Sequence, residues 1–175
     1  MTMKILVWDT CAIIKFFVKE EGSNTVKWMV ENRALYGLNF SVSTIARLEF
    51  EIVMWKKTAN GNLTIPQTRG ILKRASGYFG SVFRIRDTNP IPAFRSGHPI
   101  EYNALVNKYG LKIGKNDRDV WHLMCAHNYL RCCGGKSSPN IVTTDPNLKK
   151  MCETEGYGII DPVEQKPEDL KKLWN

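Results

Sequence analysis

From Met3 to Trp8 the chain reads Met-Lys-Ile-Leu-Val-Trp and then stops at Asp9. A run this short and this continuously apolar suits a strand covered on both faces, as in a parallel sheet; a strand with one wet face would alternate. Parallel strands cannot be joined by tight hairpins, so helical crossovers have to lie between them.

The rest of the chain supplies them. Thr10 to Lys19 carries Ala12, Ile13, Phe16 and Phe17 at helical spacing, Glu21-Gly22-Ser23 breaks the pattern, and a second helix is predicted from Asn24 to about Leu35. Leu38 to Val42 reads as a strand. Ser43 is placed to N-cap a helix reaching Lys57, which the loop Thr58-Ala59-Asn60-Gly61-Asn62 ends. Pro66 opens a basic helix that leads to Val82-Phe83-Arg84-Ile85-Arg86, whose alternation predicts an edge strand. Asp87 to Gly97, with Pro90 and Pro92, predicts a loop, followed by a helix from Pro99 to Tyr109 closed by Gly110 and another from Asp117 to Arg131. A Gly/Ser/Lys loop from Cys132 to Pro139, a strand at Asn140 to Thr143, a helix at Pro146 to Glu155, a strand at Tyr157 to Ile160 and a short helix at Pro167 to Asn175 complete the chain. Strands alternating with helices predict one α/β domain over residues 1–175, with a parallel sheet and a site at the carboxyl ends of its strands.

Composition narrows the function classes. With 43% hydrophobic residues the chain is globular. No stretch reaches the roughly 18 to 20 apolar residues of a membrane span, and the expectation is a cytoplasmic protein without membrane contact. Cys11, Cys125, Cys132, Cys133 and Cys152 lack the paired C-x-x-C spacing of a structural zinc site, so they are expected as reduced thiols. A formal charge of +8 favours an anionic partner, first a nucleic acid and next an acidic protein.

The candidate site is a set of acids. Asp9 and Asp145 each follow a predicted strand. On a helical wheel Glu49 falls between Ile45, Ile52 and Val53, in an apolar arc that also holds Leu48 and Trp55, while Glu51 turns to solvent. Asp119 shares a face with Leu123, Ala126 and Leu130, and Asp117 falls on the other side with Met124 and Asn128. Each acid has a plainer reading. Asp9 and Asp145 can be N-caps, Asp145-Pro146 being a common helix start, and an aspartate opening a helix complements its dipole. Four carboxylates in one cleft repel one another unless a cation lies between them. All being hard oxygen donors, they point to Mg²⁺ or Mn²⁺. His122 lies about 60° from the Asp119 face and reads as a packing or hydrogen-bonding residue; His98 and His127 have less claim still.

Asp9-Thr10-Cys11-Ala12, Ser43-Thr44-Ile45-Ala46-Arg47-Leu48-Glu49, Asp119-Val120-Trp121-His122-Leu123-Met124-Cys125-Ala126 and Thr143-Thr144-Asp145 stand in the order and contexts of the motifs of the PIN-domain ribonucleases. The chain resembles that family, and within it the VapC-type toxins. The resemblance implies a three-layer α/β/α fold with parallel strand order 3-2-1-4-5. It also implies Mg²⁺-dependent endoribonuclease activity, with catalytic and metal-ligating roles for Asp9, Glu49, Asp119 and Asp145 and supporting roles for Thr10 and Thr143. Its partners would be an RNA substrate, a small, partly disordered antitoxin and a second copy of the chain. Residues 58–111 are longer than the compact family pattern. Lys56, Lys57, Arg69, Lys73, Arg74, Arg84 and Arg86 are candidates to guide an RNA backbone, though solvated faces read the same way. The helix from Asn24 to Leu35, with Val26, Trp28, Met29 and Val30, either leaves apolar surface for a dimer or packs wholly on the sheet, and the pattern fits both.

Two other readings compete. One is a PIN-domain nuclease or RNA-binding module outside a toxin–antitoxin pair. The other is a phosphoaspartate protein built on Asp9. A phosphatase of that kind needs a second aspartate where Cys11 stands, and a receiver needs an acidic pair near the first strand and a late lysine, which the sequence lacks.

Overall fold

The computed structural model describes residues 4–85, 100–113, 117–132 and 138–174. Met3, Arg86, the predicted Asp87 to Gly97 loop, His98, Pro99, most of the predicted Cys132 to Pro139 loop and Asn175 lie outside those residues. In chain order the elements are β1 (Lys4–Trp8), α1 (Thr10–Phe17), α2 (Ser23–Glu31), β2 (Leu38–Val42), α3 (Thr44–Ala59), α4 (Ile65–Tyr78), β3 (Arg84–Ile85), α5 (Ile100–Lys108), α6 (Arg118–Cys132), β4 (Asn140–Val142), α7 (Pro146–Glu155), β5 (Gly158–Ile160) and α8 (Pro167–Trp174).

The strands form one all-parallel sheet in the order β3-β2-β1-β4-β5. Successive side chains of a strand point to opposite faces, and here both faces are apolar. Leu6 and Trp8 of β1 feed a core with Ile13 and Phe17 of α1, Met29 of α2, Phe50 of α3 and Leu170 of α8. Val7, between them, feeds a second core with Tyr102 of α5, Leu123 of α6 and Leu148 of α7. These are the three layers. Trp8 is fully buried among Phe40 and Phe83, at ring separations of 4.9 and 5.3 Å.

Local signals set the helix ends. Thr64 and Gln67 make a reciprocal capping box that starts α4. Gly22 takes φ 83°, and a Cβ there would lie 2.9 Å from the Pro162 carbonyl oxygen, so a glycine is required where α1 gives way to α2. The long segment 58–111 holds α4, a β3 of two paired residues, and α5; α4 is packed on α3.

The structure corrects one sequence expectation and decides an open one. The inward face of α3 is Ala46, Phe50 and Met54, whereas Leu48 and Trp55 are 60% and 44% exposed. The apolar face of α2 is already covered: Val26, Met29 and Val30 are core residues, and Trp28 stacks on Trp174 of α8 with ring centroids 5.8 Å apart. No helix among the described residues is long and apolar enough to cross a membrane.

Candidate active site

Register brings the strand ends together. Trp8 pairs with Val42 on one side and Val142 on the other, so Asp9, Ser43 and Thr143 emerge at one edge of the sheet. A cleft of about 950 Å³ opens there, and Asp9, Glu49, Asp119 and Asp145 all line it.

Asp9 occupies the N-cap position of α1, yet its side chain makes no capping bond. Its carboxylate is instead held in place: Oδ2 accepts from the Thr143 hydroxyl at 2.7 Å and from the Cys11 thiol at 2.7 Å. Burial, the Asp9 charge and the hydrogen bond to Asp9 push the Cys11 thiol up to about 12, so it stays protonated and serves as a donor. Asp145 does cap: Oδ1 accepts from the Asn147 and Leu148 amides at 2.7 and 3.1 Å. Asp145 caps α7 and lines the cleft at once, because a carboxylate has lone pairs beyond those that two amides use.

Glu49, with a side chain 12% exposed, reaches the cleft from the margin of the α3 core face. Its Oε2 accepts from the Thr10 hydroxyl at 2.7 Å, and Oε1 lies 3.6 Å from Arg118 Nε. Burial pushes this carboxyl up, but hydrogen bonds from His122 and Thr10 and the charges of His122 and Arg118 outweigh it and hold Glu49 below the usual range. Glu51, two residues on, pairs with Arg47 at 3.4 Å. The two threonines therefore have defined work, Thr10 on Glu49 and Thr143 on Asp9.

Asp119 accepts no hydrogen bond among the described residues. Burial pushes its carboxyl up to about 7, and the negative charges of Asp145, Asp9 and Glu49 add to the rise while His122 offsets part of it. Asp117 sits elsewhere: it is 7% exposed and accepts a hydrogen bond from the Tyr102 hydroxyl in the second core.

His122 has the packing and hydrogen-bonding role expected of it, but it exercises that role between two acids of the cleft, a place the sequence reading did not give it. His122 is 1% exposed, with Nε2 at 3.3 Å from both Asp9 Oδ1 and Glu49 Oε2 and Nδ1 at 3.2 Å from Ser43 Oγ. Burial draws its pKa down, but the Glu49 hydrogen bond and the charges of Asp9, Glu49 and Asp119 raise it above the ordinary histidine value. The available signal was its setting, since a histidine flanked by Val120, Leu123, Cys125 and Ala126, all buried, sits on a helix enclosed on most sides. His127, by contrast, lies 3.0 Å from Glu101, outside the cleft lining.

Of the cations expected to meet RNA, Lys56 lines the cleft, joined there by Arg118 and Lys150, which the sequence reading did not select. Lys57 is turned away onto Glu20, and Arg74 donates to the Phe17 carbonyl and covers the Phe17 ring. Arg69, Lys73 and Arg84 are exposed and lie outside the cleft lining; Arg86 is not among the described residues.

The donors at the cleft suit a hard divalent cation, being carboxylates on two helices, α3 and α6, and at the N-cap positions before α1 and α7. As placed, no group of three or more His, Cys, Asp or Glu side chains among the described residues is drawn closely enough to hold a metal ion. Cys11, Cys125 and Cys152 are reduced thiols, outside any disulfide. No model of a known protein family matches the chain, and no curated protein matches it either.

Proposed function

We propose that the chain is a Mg²⁺- or Mn²⁺-dependent endoribonuclease of the PIN-domain kind, acting as the toxin of a toxin–antitoxin pair. The observation that carries this reading is the gathering of Asp9, Glu49, Asp119 and Asp145 on one cleft, with the Asp119 carboxyl raised by burial and by the charges of Asp145, Asp9 and Glu49. Such a cluster stores repulsion that a divalent cation relieves.

In this reading Asp9, Glu49, Asp119 and Asp145 bind the cation, directly or through water. The cation would supply Lewis-acid polarisation of a phosphate oxygen and activation of a water. Thr143 and Cys11 fix the Asp9 carboxylate, and Thr10 fixes that of Glu49. Lys56, Arg118 and Lys150 attract the RNA backbone to the cleft by charge, without reading sequence.

The test is cleavage of end-labelled RNA by the full chain. Cutting with Mg²⁺ or Mn²⁺ that stops on chelation is expected, and RNA left intact with either ion would sink the reading. The toxin assignment predicts growth arrest on expression, relieved by co-expression of the acidic antitoxin. An active nuclease without growth arrest would instead place the chain outside toxin–antitoxin pairs.

A homodimer belongs to the same proposal, and α3 is the face that suits it. Ile45, Leu48, Ile52 and Trp55 repeat every three or four residues along its outer side, a spacing that mates with a like helix. Leu48→Glu is expected to turn a species of twice the chain mass into a monomer in sedimentation velocity. An unchanged sedimentation coefficient would remove α3 as the interface.

A further inference from the structure

Ser43 stands at the N-cap of α3, where a serine usually bonds a free amide of the first turn, yet it makes no such bond. The hydroxyl, in a side chain 1% exposed, faces His122 Nδ1 instead, at 3.2 Å. On the far side of the ring His122 Nε2 is equidistant, at 3.3 Å, from Asp9 Oδ1 and Glu49 Oε2. Ionised carboxylates only accept, so Nε2 carries the hydrogen whichever form the ring takes, and the Ser43 hydroxyl can serve Nδ1 as donor or acceptor.

We infer that Ser43 and His122 form a clamp, in which the His122 Nε2–H draws Asp9 Oδ1 and Glu49 Oε2 together and Ser43 fixes the ring that does so. Asp9 is anchored to the end of β1, whereas Glu49 comes from α3. Two carboxylates from separate elements repel one another, and a shared N–H opposes that repulsion before any cation arrives. His122 is thus a positioning residue: it acts on the cation through the two acids it holds. The remaining oxygens are directed as well, Asp9 Oδ2 by Thr143 and Cys11 and Glu49 Oε1 by Arg118. The consequence for cation binding rests on the nuclease reading, but the clamp itself does not.

The experiment uses the full chain without RNA and has two readouts: Mn²⁺ binding by calorimetry, and the imidazole N–H resonances of the metal-free protein by nuclear magnetic resonance. His122→Leu, which fills the space without a donor, is expected to weaken Mn²⁺ binding about 10- to 100-fold, the usual cost of removing a group that orients metal ligands. His122→Gln, which returns an N–H to the same side, should stay within about threefold of the parent, and Ser43→Ala should fall between the two. Melting temperatures should not follow that order. The parent, free of metal, should show a slowly exchanging Nε2 proton. Unaltered Mn²⁺ binding in His122→Leu, equal losses in the Leu and Gln variants, or an Nε2 proton that exchanges freely would each overturn the clamp. A parent chain that binds no Mn²⁺ would sink the nuclease reading instead. The Nε2 proton then decides the clamp alone, protection upholding it and free exchange overturning it.

Discussion

Asp119→Asn should lower the rate of RNA cleavage by at least about 10³-fold if the chain is the proposed nuclease, because in that reading it removes charge where the cation and the developing phosphate charge would be balanced. Asp117→Asn, two residues away, should keep the rate within about threefold, since it alters no group that binds the cation. The structure separates them. Asp119 lines the cleft and is the acid on which the charges of Asp145, Asp9 and Glu49 converge, while Asp117 is turned into the second core as the acceptor for Tyr102. The Asp117 variant should show its effect in stability instead. A buried hydroxyl whose charged acceptor is replaced by a neutral one stands to lose about 1 to 3 kcal/mol. Cleavage of labelled RNA and thermal unfolding, measured on both variants, check the pair. Equal loss of cleavage would mean that α6 presents the wrong side to the cleft.

The same helix shows where a sequence can be read and where it cannot. β2 (Leu38–Val42) and α7 (Pro146–Glu155) fall where the pattern puts them, one alternating Leu38, Phe40 and Val42 with Asn39 and Ser41 and the other starting at Asp145-Pro146. Asp119 was legible because it shares a face with Leu123 and Ala126, and both are buried. His122 was not, because Val120, Met124 and Cys125 are buried too. On a helix packed on several sides, an angle of about 60° no longer separates inside from outside. In α3 the difficulty is a second apolar stripe. Ala46, Phe50 and Met54 are buried in the first core, but Ile45, Leu48, Ile52 and Trp55 repeat as regularly, and periodicity does not say which stripe a core will cover. Glu49 lies between the two, and so it reached the site even though the arc drawn around it included exposed residues. Of the alternation from Val82 to Arg86, the described residues Arg84 and Ile85 pair in register with β2, and Arg86 lies outside the described residues.

The raised Asp119 carboxyl makes a second large effect, on stability. Its pKa is about 7 in the folded chain against about 3.9 when unfolded. Between those values the folded chain keeps a proton that the unfolded chain releases. Without a divalent cation, stability should therefore fall as pH rises from about 4 to about 7, the loss being complete above the folded value. Glu49, whose carboxyl is lowered, acts in the opposite sense and at lower pH: its contribution is present above its unfolded pKa and is lost as pH falls through its folded one. His122, raised, stabilises fully below its unfolded pKa of about 6.5 and loses that contribution as pH climbs through its folded value. The window from about pH 4.5 to 6 thus belongs chiefly to Asp119. At about 1.4 kcal/mol per unit, and allowing for its partial exposure, the destabilisation is on the order of 2 kcal/mol. Asp119→Asn should abolish it, leaving a variant more stable than the parent at pH 8 and no more stable at pH 4. Saturating Mg²⁺ should stabilise the parent increasingly as pH rises through the same window, because the cation takes the place of the proton. Parallel curves of melting temperature against pH for parent and variant, in chelator, would show that Asp119 ionises freely and that the four acids do not share one field.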